Sequence, residues 1–189
     1  MKKYLLVIFC ILLPIFLMLF SYKMALEFTA LDANQESTID YLQNNRELSL
    51  NYTIMEVSHL EDVKGVIKIS DYLFYFSLLV LTLILTFYRK KKEETKKLLF
   101  YGGITTVIML GMILLFLLLS FHSAFTVFHN LFFPQGNWQF ASDSLLIQTF
   151  PLGFFIGMSY KIFVQSLIYG IIFILLYFLL KYVNSSQRN

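Results

Sequence analysis

Cysteine is almost missing from this chain. Cys10 is the only one in 189 residues, which excludes an internal disulfide. Charge is scarce as well. Asp, Glu, Lys and Arg make up 14% of the residues, against about 25% in a soluble globular domain. Proline and histidine occur three times each and tryptophan once. The usual catalytic signatures are absent. No G-x-S-x-G, H-E-x-x-H, Walker loop or G-x-G-x-x-G occurs in the chain, and no Ser, Thr or Cys stands out as a nucleophile. Cys10 follows Val7, Ile8 and Phe9 rather than small residues, so it reads as a lipid-facing or packed thiol in an apolar run.

What is abundant is apolar surface. Hydrophobic residues make up 58%, with 21 Phe and 12 Tyr, and the mean hydropathy is +0.68. A water-soluble core of this length cannot hide that much. The pattern predicts an all-α polytopic membrane protein, one integral domain over 1–189, with four transmembrane helices at about 4–22, 70–88, 98–120 and 162–180. The first run is longer than a signal-peptide core and has no A-x-A site after it, so it is expected to stay as a span. Pro14 is placed to kink it. Gly102, Gly103 and Gly111 offer close helix approach in the third span.

The segments between the runs are unequal. Outer segments are expected at 23–69 and 121–161, together forming a small extracytoplasmic cap, and a basic cytoplasmic loop at 89–97. Ten of the fifteen basic residues fall in the two termini and that loop, and ten of the twelve acids, counting Asp71, fall on the other side. The basic bias puts both termini in the cytoplasm. RKKKEETKK reads as an orienting loop rather than a nucleic-acid patch. Ser58-x-x-Glu61 has the form of a capping box and predicts a helix start at Ser58. Ser70 and Asp71 read as caps of the second span. The long apolar stretch after Pro151 is split, with Leu145 to Met158 at the outer interface, Lys161 at the head groups, and Ile162 to Leu180 crossing.

All three histidines, His59, His122 and His129, then lie at or near the outer face. Unperturbed imidazole titrates near pH 6.5, so these are the groups for proton transfer. Glu56, Asp62 and Asp143 are carboxylates able to orient a ring. His59 and Asp62 are three apart, on one helical face. His122 and His129 are seven apart, again on one face. Nothing has the spacing of a metal cage, and no metal is expected.

Two blocks carry a resemblance. EVSHLEDVK at 56–64, and FHNLFFPQGNWQF at 128–140 followed by Asp143, Leu145, Phe150 and Pro151, are similar to the signature blocks of the bacterial lipoprotein intramolecular transacylase family. The order of spans, outer segments and basic loop is similar too. The resemblance implies a multi-pass protein of the bacterial plasma membrane with its site at the extracytoplasmic face. It implies transfer of the sn-2 acyl chain of a diacylglyceryl-cysteine lipoprotein to that cysteine's own α-amine, giving a lyso-form product. The partners implied are diacylated lipoproteins and membrane lipid, not nucleic acid. No cofactor is needed, because the substrate brings its own nucleophile. On this reading His129 is the general base and His59 the acid or oxyanion donor. Asp62 orients His59, while Trp138, Phe132 and Phe133 shape a lipid groove. Two other readings stay open: a non-enzymatic membrane partner or scaffold, and a metal-dependent lipid hydrolase.

Overall fold

The computed structural model describes residues 2–44 and 46–186. Among the described residues there are seven α-helices and no strand. They are α1 (Lys3–Glu27), α2 (Ala33–Asn44), α3 (Ile54–Tyr88), α4 (Lys92–Leu119), α5 (Phe121–Phe132), α6 (Leu145–Thr149) and α7 (Leu152–Ser186). α1, α3, α4 and α7 are each long and apolar enough to cross a membrane. Most of each apolar stretch faces outward rather than inward. Helices suit that setting because they satisfy their own backbone groups.

The four long helices pack as a bundle. Phe9, Leu13 and Leu17 of α1 meet Leu81, Ile84 and Tyr88 of α3 and Leu98 of α4 in a buried core. α4 and α7 approach most closely. A Cβ on Gly103 would lie 2.8 Å from the Gly170 carbonyl oxygen, and one on Gly170 would lie 2.9 Å from Thr106. Only glycine fits there. Gly111 has no such close neighbour, since its Cβ would meet Leu167 at 3.8 Å. Small polar side chains fill the rest: Ser166 on α7 donates to Ser21 on α1 at 3.0 Å. α1 continues unbroken through Pro14.

The contacts fix the directions. The Lys2 backbone N–H, at the start of α1, donates to the Tyr88 hydroxyl at the end of α3. Ser21, late in α1, meets Ser166 in α7. The end of α1, the start of α3, the end of α4 and the start of α7 therefore share one end of the bundle. α2, α5 and α6 sit at that end. There Leu42 of α2, Leu60 of α3, Leu146 of α6 and Phe150 form a second apolar cluster. Tyr52 ties it together, bonding Thr38 of α2 at 2.9 Å and Thr149 of α6 at 3.3 Å.

Helix ends differ from expectation in three places. α3 begins at Ile54, capped by Thr53 with Glu56 closing the capping box; Ser58 lies inside the helix. Ser70 and Asp71 are also inside α3, where Ser70 bonds back to the Val66 carbonyl and Asp71 pairs with Lys23 of α1. The apolar stretch after residue 144 breaks at Phe150–Pro151, not near Lys161. Lys161 instead reaches Thr29 at 3.0 Å. These differences matter for the site. A 35-residue helix is about 52 Å long, while a hydrocarbon core is about 30 Å. α3 thus carries a rigid extension of several turns, and His59 stands on it.

Candidate active site

His59 comes from the second turn of α3, and His129 from the last turn of α5. α5 exists as a separate helix because the chain breaks at Ser120, whose side chain caps the new helix through the Ser123 N–H. The two rings stack with centroids 6.2 Å apart. Each histidine is only 7% exposed. Aromatic rings enclose them. Phe133 meets His59 edge-on at 4.7 Å, and Phe140 lies at 5.7 Å. Phe125 lies 3.9 Å from His129, and Trp138 lies 4.8 Å from it.

His129 has a defined tautomer. Its Nδ1 lies 2.8 Å from the Phe125 carbonyl oxygen, one turn earlier in α5. A carbonyl only accepts, so Nδ1 carries the proton and Nε2 keeps the lone pair in the neutral ring. Burial pushes the His129 pKa below the ordinary imidazole value, and the Phe125 carbonyl pulls the other way. The outcome is a neutral base held in one orientation. His59 differs: its Nδ1 is buried and has no hydrogen-bond partner among the described residues.

After α5 the chain turns back over the rings. Gly136, with φ +78, takes a left-handed conformation that suits glycine, and its N–H donates to the Phe133 carbonyl at 3.1 Å. The turn brings Gln135 and Asn137 onto α3. Both side-chain amides donate to Asp62 Oδ2, at 2.6 and 2.7 Å. Asn137 also reaches Ser58 at 3.3 Å. The hydrogen bonds of Asp62 therefore hold the turn and do not go to the His59 ring.

The other carboxylates are also placed differently from the sequence reading. Glu56 is 1% exposed. Its Oε2 accepts from the Thr53 backbone and hydroxyl, and its Oε1 accepts from the Leu146 N–H. Both oxygens are used on structure, so Glu56 clamps α6 to the start of α3. Asp143 is exposed in the turn before α6. His122 is exposed at the first turn of α5. Phe133 is buried against both histidines, while Phe132 points outward and packs on Phe128. Among the described residues no three His, Cys, Asp or Glu side chains gather into a metal-holding group. Phe125, Gln135, Asn137 and Phe140 did not stand out as site residues in the sequence. Phe125 is one turn before His129, a spacing that places it on the same face.

Residues 3–155 match the family described as "Lipoprotein intramolecular transacylase Lit". The chain belongs to this family. The matched range contains both histidines, Asp62 and the whole 133–138 turn. Solved Lit structures share the fold. The membrane integral Lit from Bacillus cereus superposes with a TM-score of 0.83 at 20% identity, over 99% of this chain and 98% of that chain. Two variants of it with one histidine replaced superpose at 0.80 and 0.79, both at 18% identity. They cover 98% and 99% of this chain, and 94% and 96% of their own. No curated protein sequence matches the chain. As a Lit family member it is a multi-pass membrane acyltransferase acting on lipoproteins.

Proposed function

We propose that His129 and His59 carry the transfer of an acyl chain between two positions of one diacylated lipoprotein. The observation behind this is the stacked pair of buried imidazoles, one with its Nε2 lone pair free of backbone bonds. The lipoprotein's N-terminal α-amine has a pKa near 8 and must lose a proton before it attacks. That first proton goes to solvent; as the neutral nitrogen attacks the sn-2 ester carbonyl, His129 Nε2 takes a second proton from it. The tetrahedral intermediate collapses, the C–O bond to glycerol breaks, and the proton passes to the glycerol oxygen. The products are an amide and a free glycerol hydroxyl. His59 faces the same space and acts as the acid or oxyanion partner. Holding amine and ester together in one site supplies up to about 7–11 kcal/mol in well-oriented cases.

The setting suits a lipid substrate. Val127, Phe128, Leu131 and Phe132 expose an apolar outer face on α5, the helix whose inner face bears His129. Such a helix lies naturally in a membrane interface. Trp138, Phe132 and Phe133 then border the path of the acyl chains, and Asp143 lies on the rim where the peptide leaves. The basic bias places the site at the extracytoplasmic face, with the 89–97 loop and both termini inside. The four spans lie at about 4–22, 70–88, 98–120 and 162–180, and α2, α5 and α6 cap the outer end.

A cell-based test is direct. Cells that make only diacylated lipoproteins are given this gene, and the N-terminal lipopeptides are analysed. Lyso-form lipopeptides with an amide-linked chain support the proposal. Unchanged diacylated lipopeptides from a correctly inserted protein would leave the docking-partner reading standing.

A further inference from the structure

We propose that Asn137 is a positioning residue, which fixes the ring of His59 and links it to the carboxylate of Asp62. This rests on the catalytic role given above to His59. Two buried atoms carry the argument. His59 Nδ1 and Asn137 Oδ1 are both buried, and neither has a hydrogen-bond partner among the described residues. Unpaired buried polar atoms are costly, and their pairing is the ordinary remedy. The two residues occupy one place. Asn137 reaches Ser58, the residue before His59, and Asp62, one turn after it.

Asp62 decides which way the amide points. An ionised carboxylate only accepts, so Asn137 presents Nδ2 to it, at 2.7 Å. Reversing the amide would set oxygen against oxygen. The Asn137 oxygen is therefore the atom left for His59, and an amide oxygen only accepts. An Nδ1–H to Oδ1 bond between them would satisfy both atoms at once. That bond places the proton of the neutral His59 ring on Nδ1, so Nε2 serves as acid or oxyanion donor only after it has itself taken up a proton. It also passes the negative charge of Asp62 to the ring through one amide, which supports His59 while it holds a proton. Gln135 donates to the same Asp62 oxygen, and Gly136 makes the turn between the two amides. QGN at 135–137 is thus a device that brings a carboxylate to bear on His59 at one remove.

The test uses the full chain in detergent, carrying isotope-labelled histidine. Nitrogen NMR reads the tautomer of each ring, and His59 is assigned by the loss of its signals in His59→Gln. Above about pH 8, where imidazoles are neutral, His59 in the unmodified protein should carry its proton on Nδ1. In Asn137→Leu, of similar size but without the amide, that preference should fall away. Acyl transfer of a defined diacylated lipopeptide should lose on the order of 10- to 100-fold in kcat, with KM little changed. Asp62→Asn combined with Asn137→Leu should be no slower than Asn137→Leu alone, because both act through one relay. A His59 proton on Nε2 in the unmodified protein overturns the proposal, even if Asn137→Leu does not fold. So does full transfer by a folded Asn137→Leu, or a loss of transfer with the His59 tautomer unchanged. The tautomer is read without any turnover. A failure of the acyl-transfer reading, seen as no transfer by the unmodified protein, is therefore separate from a failure of this one.

Discussion

Glu56 gives the sharpest division between structure and chemistry. Among the described residues its carboxylate makes no hydrogen bond to either ring and accepts three elsewhere: from Thr53 N at 2.7 Å, Thr53 Oγ1 at 2.8 Å and Leu146 N at 2.8 Å. Glu56→Ala removes all three and leaves two backbone N–H groups without their acceptor. Bonds to a charged acceptor are worth about 1.5–3 kcal/mol each. They are not additive here, since two share Thr53 and water can enter. The expected loss is about 3–5 kcal/mol. For a chain of this size each kcal/mol lowers Tm by about 2–4 °C, so Tm should fall by about 6–20 °C. Glu56→Gln keeps the volume and one acceptor oxygen, and should lose about 1–3 kcal/mol. Thermal unfolding in detergent reads the effect, with transfer rate normalised to folded protein. Near-normal transfer per folded Glu56→Gln molecule is expected. An unchanged Tm with abolished transfer would refute the clamp and return Glu56 to the chemistry.

The remaining predictions concern the rings, pH and topology. His129→Ala and His59→Ala should each abolish lipopeptide transfer while still inserting, whereas exposed His122→Ala should retain most of it; this is read in membranes with matched expression. The folded-state pKa of His129 lies below its unfolded value, so the unfolded chain binds more protons. Its contribution to stability is then present above about pH 6.5 and is lost as pH falls from there through the lowered folded value. His129→Phe should flatten that part of a Tm-against-pH profile, and an unaltered profile would contradict the buried neutral ring. In a Cys10→Ser background, Ala141→Cys should react with an impermeant thiol reagent on intact cells and Lys90→Cys should not; the reverse would put the site in the cytoplasm.

The bundle was legible because its signal is coarse. Four long apolar runs separated by charge leave few alternatives. The helix start was harder. Thr53-x-x-Glu56 and Ser58-x-x-Glu61 are both capping-box patterns within one stretch. The chain uses the first, and Glu56 gains a further bond from Leu146, ninety residues away. No local pattern contains that partner. The histidines stood out because they are rare and lie beside apolar runs. Seven-residue spacing put His122 and His129 on one face, and only the second block singled out His129; of the two, it is His129 that is buried and packed on Trp138. Asp62 was placed on the right face of α3, but its partners come from residues 135 and 137. A carboxylate three residues from a histidine suggests a direct contact; the tertiary structure instead gives the carboxylate two side-chain amides to accept from. Asp143 had its charge and its place in the second block to recommend it, and it ended on the surface.

The central claim is transfer without loss, and mass decides it. Purified protein in lipid is given a defined diacylated lipopeptide, and the intact product is weighed and fragmented. The account predicts an unchanged mass, with one chain now amide-linked and only one fatty acid released by mild alkali instead of two. A product lighter by one acyl group, with free fatty acid alongside, would contradict it, as would an unaltered substrate after incubation with correctly folded protein.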